Sequence, residues 1–197
     1  MRLPNKAHTS LPWRIHELTS DFLVEDVWEL PTPGGRNDFG HLVRWLASRD
    51  DPSHSSASLF VRALWAIRWT AGRLLGWDGP DAGLGSRVPT LRDRFPADLR
   101  GAESGPRFRA LPFAPLYLLH DEWAAEIANR TVHGVMHIGW VPDGTGGYHG
   151  QMAVLVKPNG LLGAAYMAVI RPFRRLFVYP QMTRAIRRAW PAGGSSS

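Results

Sequence analysis

The last third of the chain constrains the fold most. From Trp123 to Trp190, two alternating stretches, Ala124–Val141 and Tyr148–Lys157, flank the turn Pro142-Asp143-Gly144-Thr145-Gly146-Gly147. Successive strand side chains point to opposite faces, so period two over such lengths predicts long strands joined by a hairpin. A Gly-rich break at Gly160–Gly163 then leads into an aromatic- and Arg-rich segment. Leu161–Trp190 reads as a closing helix, broken near Pro172 or Pro180 because proline removes a backbone donor and clashes with the preceding turn. That order suits a curved antiparallel sheet wrapped around one long C-terminal helix, with a cavity between them.

Upstream, residues 1–20 are polar and contain proline, and read as an extended N-terminal arm. Asp21–Leu30 alternates as a strand and ends at Pro31-Thr32-Pro33-Gly34-Gly35. Asn37 or Asp38 is placed to cap a helix over Phe39–Ser48, whose Phe39, Leu42, Val43 and Leu46 form one stripe. Leu59–Trp77 reads as a longer helix with Gly76 at its end, and its Arg62, Arg68 and Arg73 argue against a bilayer span. Thr90 is placed to cap a short helix, Leu91–Phe95, and Leu116–His120 reads as a brief strand. Strands joined by hairpins rather than alternating with helices give an α+β class. The organisation read here is an arm over 1–20, one domain over 21–190 and a flexible tail over 191–197.

Composition narrows the classes. At 197 residues, 44% hydrophobic and 20% charged, the chain has enough length and apolar content for one real core. It has no cysteine, hence no disulfides, no thiolate nucleophile and no cysteine zinc site. Met1–His8 lacks the apolar run of a signal peptide, so a cytoplasmic location is expected. Net charge is +6, and Lys occurs only at 6 and 157, leaving 21 of the 23 basic residues as Arg. Charge alone is no nucleic-acid signature, and no zinc-finger, RNA-recognition or helix-turn-helix motif accompanies it. An anionic membrane surface is the partner that such a basic chain could favour, through the Arg-rich C-terminal segment.

The chemistry-bearing candidates cluster in the long strands. His133 and His137 lie in a run rich in β-branched residues, Thr131-Val132-His133-Gly134-Val135-Met136-His137-Ile138. On a strand they share a face with Val135 but stand about 13 Å apart, too far to chelate one metal together. Val132, Met136, Ile138 and Trp140 line the opposite, core-like face. On the next strand Gln151 and His149 alternate with Met152 and Tyr148, so Gln151 could join His133 and His137 in a polar wall. Glu122 and Glu126 are carboxylates for proton transfer if buried, although a solvated edge is the commoner fate of such residues. Gly144–Gly150 is a hairpin turn rather than a phosphate loop, since no helix N-terminus follows it. No G-x-S-x-G elbow is present, and no metal or cofactor site is expected.

A resemblance adds to this reading. Asp121-Glu-Trp-Ala-Ala-Glu-Ile-Ala-Asn-Arg-Thr-Val-His-Gly-Val-Met-His, Gly150-Gln-Met-Ala-Val-Leu-Val-Lys-Pro-Asn-Gly, and Tyr166-Met-Ala-Val-Ile-Arg-Pro-Phe-Arg with Val178-Tyr-Pro resemble a bacterial domain-of-unknown-function family. The family looks related to the START-like superfamily of polyketide cyclases and lipid-transport proteins. The resemblance covers roughly residues 12–190 and implies a helix-grip fold: a curved sheet gripping the C-terminal helix over a cavity. It brings no catalytic residues, and implies an oxidoreductase domain as a partner of some relatives. The resulting expectation is a small soluble protein binding an apolar or lipid-like molecule. Met136, Met152, Trp140, Tyr166 and Phe173 would make the apolar contacts, and His133, His137 and Gln151 the polar ones. Both sets reach one cavity only if a bulge shifts the register. The alternative is a cyclase- or hydratase-type enzyme using His133 or Glu126 as proton carrier.

Overall fold

The computed structural model describes residues 1–49, 84, 88–108, 113–128, 132–160, 175–176 and 179–191. Its centre is one six-stranded, wholly antiparallel sheet in the order β1-β2-β6-β5-β4-β3. The strands are β1 (Arg2–Leu3), β2 (Leu23–Glu29), β3 (Ala114–Leu118), β4 (Glu122–Ala128), β5 (Val132–Pro142) and β6 (Tyr148–Pro158). The helices are α1 (Lys6–Thr9), α2 (Ile15–Leu18), α3 (Phe39–Arg49), a 3-10 turn (Leu91–Arg94) and α4 (Tyr179–Ala189). The α+β class and the antiparallel sheet are as the alternation predicts. The C-terminal helix is short where described, and 161–174 of the expected long helix lies outside the described residues, as does the expected helix over 59–77.

The β5–β6 hairpin forms as expected. Its ladder runs unbroken from Val132 opposite Pro158 to Pro142 opposite Tyr148. Asp143 closes the turn: its Oδ1 accepts from Thr145 N–H (2.8 Å), the Thr145 hydroxyl (2.8 Å) and Gly147 N–H (3.0 Å). The stretch expected as one strand, Ala124–Val141, is instead two, β4 and β5, pairing with each other from Glu122 opposite Gly139 to Ala128 opposite His133. Bulges fall at the outer strands, between Val24 and Asp26 and between Pro115 and Tyr117.

The two faces of the sheet have different covers. On one, Trp28, Met136, Ile138, Trp140 and Met152 pack under α3 and α4, meeting Phe39, Leu42, Val43, Tyr179 and Ile186. Helical spacing puts the α3 residues on one stripe, and Gly150 makes room for it, since a Cβ there would lie 2.8 Å from the Leu42 side chain. On the other face, Ala124, Val135, Ala153 and Leu155 pack under Trp13, Ile15, Leu18, Phe22, Leu91, Phe95 and Leu99. Residues 1–20 are therefore no extended arm. They form β1 and two helical turns, and His8, Trp13, Ile15 and Leu18 are buried against the sheet. Among the described residues no helix is long and apolar enough to cross a membrane.

Candidate functional site

The face under the N-terminal segment carries the buried histidines and glutamates. Residues directly opposite across a ladder share a face, so Glu122, Ala124, Glu126 and Ala128 of β4 stand with Gly139, His137, Val135 and His133 of β5. Each histidine then reaches a carboxylate diagonally. His137 Nε2 lies 2.9 Å from Glu122 Oε2, and His133 Nε2 lies 2.8 Å from Glu126 Oε2. All four side chains are buried, none more than 3% exposed. Small Ala124, between them, leaves the space.

Each carboxylate is also the acceptor for the segment above it. Glu122 Oε1 takes Arg14 N–H (2.8 Å), just ahead of α2, and its Oε2 takes the Tyr117 hydroxyl (3.1 Å). Glu126 Oε2 takes Leu91 N–H (3.0 Å), and its Oε1 takes the Thr90 hydroxyl. Thr90 meanwhile caps the 3-10 turn, accepting from Arg92 N–H at 3.3 Å, as its position predicts. Two glutamates of one strand thus serve as N-terminal caps for two short covering turns, where backbone N–H groups would otherwise lack partners.

Among the described residues, the Glu122–His137 pair alone continues. His137 Nδ1 lies 3.1 Å from His8 Nε2. Burial alone would raise the Glu122 carboxyl, but hydrogen bonds from His137, Arg14 and Tyr117 outweigh it and hold it below the ordinary value. Burial lowers His137 despite its glutamate, and burial, then His137 and His16, push His8 down to about 2. Burial, then Glu122, raises the Tyr117 hydroxyl, which stays a donor. The protons follow. An ionised carboxylate only accepts, so neutral His137 carries its proton on Nε2 and offers a lone pair at Nδ1. His8 must donate from Nε2, and its Nδ1 is left as a bare acceptor. That Nδ1 is buried with no partner among the described residues, as are Trp13 Nε1 and Gln151 Oε1 on the same face.

The structure separates the expected site residues. His133, His137, Glu126 and Gln151 share the covered His/Glu face, whereas Met136, Met152 and Trp140 are on the other, under α3 and α4. With no bulge between β5 and β6, one cavity does not take both sets. Tyr166 and Phe173 lie outside the described residues. Glu122 and Glu126 do not sit at a solvated edge, because the 3-10 turn and the N-terminal segment enclose them. His8, Trp13, Arg14 and Tyr117 were not legible as site residues. The available signal was the matched spacing, Glu122 with Glu126 and His133 with His137, four apart on adjacent strands. Among the described residues no group of three or more His, Asp or Glu is arranged to hold a metal ion.

The sequence matches the model of DUF2867, a family described as proteins of unknown function, over residues 18–181. The chain belongs to that family. No curated protein and no solved structure matches it significantly. The family match takes in β2 to β6, with both Glu–His pairs, and begins after His8 and Trp13.

Proposed function

We propose that this DUF2867 protein is a proton-transfer enzyme of the cyclase or hydratase type. It would take up a small organic molecule between the His/Glu face and the N-terminal segment. The single observation behind this reading is the hydrogen-bonded chain Glu122–His137–His8, which ends in a buried ring nitrogen with no partner among the described residues. Such a chain is what a general base needs: a lone pair at the reacting end and a negative charge to offset the imidazolium that forms. His8 would be the catalytic residue, and His137 and Glu122 its positioning residues. Access would come from lifting residues 1–14, with His8 returning as they close, since α1 has four residues and a turn that short is held by packing rather than by its own hydrogen bonds. Kinship with START-like proteins belongs to this proposal too, resting on the residue resemblance.

The test is carbon–hydrogen exchange in deuterated water, followed by NMR, over a panel of ketones and α,β-unsaturated acyl thioesters. Wild type is expected to exchange or convert a member of the panel, and His137→Asn to slow it about 10²–10⁴-fold while remaining folded. An unchanged rate in His137→Asn would remove the relay from the mechanism. A second reading places an apolar ligand under α3 and α4, where Trp28 Nε1 and Trp123 Nε1 are buried without acceptors among the described residues. Native mass spectrometry of freshly purified protein separates the two: an apolar adduct surviving in His8→Gln supports that second site.

A further inference from the structure

The three unpartnered polar atoms on the His/Glu face belong to neighbouring side chains. Trp13 packs against Gly139, where a Cβ would meet its Cζ2 at 2.6 Å, and Gly139 stands directly opposite Gln151. The Trp13 ring is 5.2 Å from that of His137 and 6.5 Å from that of His8. Gln151 Nε2 donates to the carbonyl of Ala7, the residue before His8, at 3.4 Å. That bond also orients the amide, because the opposite orientation would set one carbonyl oxygen against another. All three side chains are at least nine-tenths buried: His8 is 0%, Gln151 3% and Trp13 7% exposed.

Their hydrogen-bonding inventory is two acceptors, His8 Nδ1 and Gln151 Oε1, and one donor, Trp13 Nε1. A ligand that satisfies all three gives two protons and accepts one. An ammonium ion has nothing to accept with, and a halide has nothing to donate. Water fits, and buried water typically has two to four such partners. It would also keep one oxygen lone pair free.

We infer that His8, Gln151 and Trp13 seat a single water molecule, and that this water is the nucleophile of the reaction. This rests on the proposed proton-transfer function and narrows it to addition of water across a polarised double bond. The oxygen bonds to the electrophilic carbon as the π pair moves to the far atom. His8 Nδ1 takes the proton that the oxygen sheds, its own Nε2 proton shifting toward His137, and the proton is then returned to the far atom. Nothing is oxidised or reduced, and water is the only co-reactant. Gln151 and Trp13 aim the oxygen, and Glu122 balances the transient charge.

A crystal structure of the full chain at a resolution that shows ordered water tests the seat. One water within about 3.2 Å of His8 Nδ1, Gln151 Oε1 and Trp13 Nε1 is expected. The inference falls if the three atoms do not converge on one water or are each satisfied by protein groups. The same panel of ketones and unsaturated acyl thioesters, run in heavy-oxygen water, tests the chemistry. Product carrying the heavy oxygen, lost in Gln151→Leu, supports it. Proton exchange without water addition overturns the hydration step and leaves the proton-transfer reading standing. No reaction with any panel member counts against both.

Discussion

The two Glu–His pairs are built alike and end differently. Glu126 and Glu122 each hold a histidine, a hydroxyl and a backbone N–H from a covering turn. Among the described residues the Glu126–His133 pair goes no further: the His133 ring meets Phe22 edge-on at 5.0 Å, and neither member has a buried side-chain polar atom without a partner. The Glu122–His137 pair runs on into His8 and leaves a bare nitrogen. The first arrangement suffices to fasten a turn to a sheet. The second runs one residue further, into the covering segment itself, and leaves a ring nitrogen there without a partner among the described residues. The proposed relay rests on that difference.

The most damaging changes test what the pairs share. Glu126→Ala and Glu122→Ala each strand several buried donors and a histidine, so each should cost about 3–5 kcal/mol in urea unfolding. A much smaller loss at either would mean that the covering turn re-forms its bonds with water. Gly139→Ala comes next. Its methyl group would strike the Trp13 indole, costing about 1–3 kcal/mol as overpacking does. Hydrogen exchange should quicken over residues 5–18 and not over residues 91–99, splitting the covers of the two pairs.

Acidification should act on the open-ended pair. Folded His8 and His137 resist protonation, whereas the unfolded chain takes protons below the ordinary histidine value near 6.5. The unfolded state then binds more protons, so stability is full above that value and falls as pH drops through it. Each histidine contributes up to about 1.4 kcal/mol per pH unit. His8→Gln should flatten the pH dependence of the urea midpoint, and a slope unchanged by it would place the acid sensitivity elsewhere. The smallest effect belongs to the closed pair: Thr90→Ala loses the cap of the 3-10 turn and the hydroxyl donor to Glu126, at a cost of about 1 kcal/mol in urea unfolding.

What was legible followed the reach of each signal. Alternation is local, so the β5–β6 hairpin and the opposite facing of His133/His137 and Met136 could be read from residues 131–157 alone. The join between β4 and β5 could not, because continuous period-two sequence does not mark where one strand turns into the next. Glu122 and Glu126 looked solvated because their cover comes from Arg14 and Leu91, 108 and 35 residues away in sequence. His8 sits among Lys6, Thr9 and Ser10, a polar neighbourhood with no local reason for burial; the later Trp13, Ile15 and Leu18 were the hint that this segment packs down. The placing of α4 on the Trp/Met face rather than the His/Glu face was beyond pattern, since both faces of β5 are buried.

The most direct test of the relay is nitrogen NMR of the histidine rings in the folded protein. The account predicts that His8 and His137 are both neutral, both protonated on Nε2, and stay so well below the ordinary histidine range. A His8 ring protonated on Nδ1, or one titrating at the ordinary histidine value, would contradict it, because the chain would then end in no base.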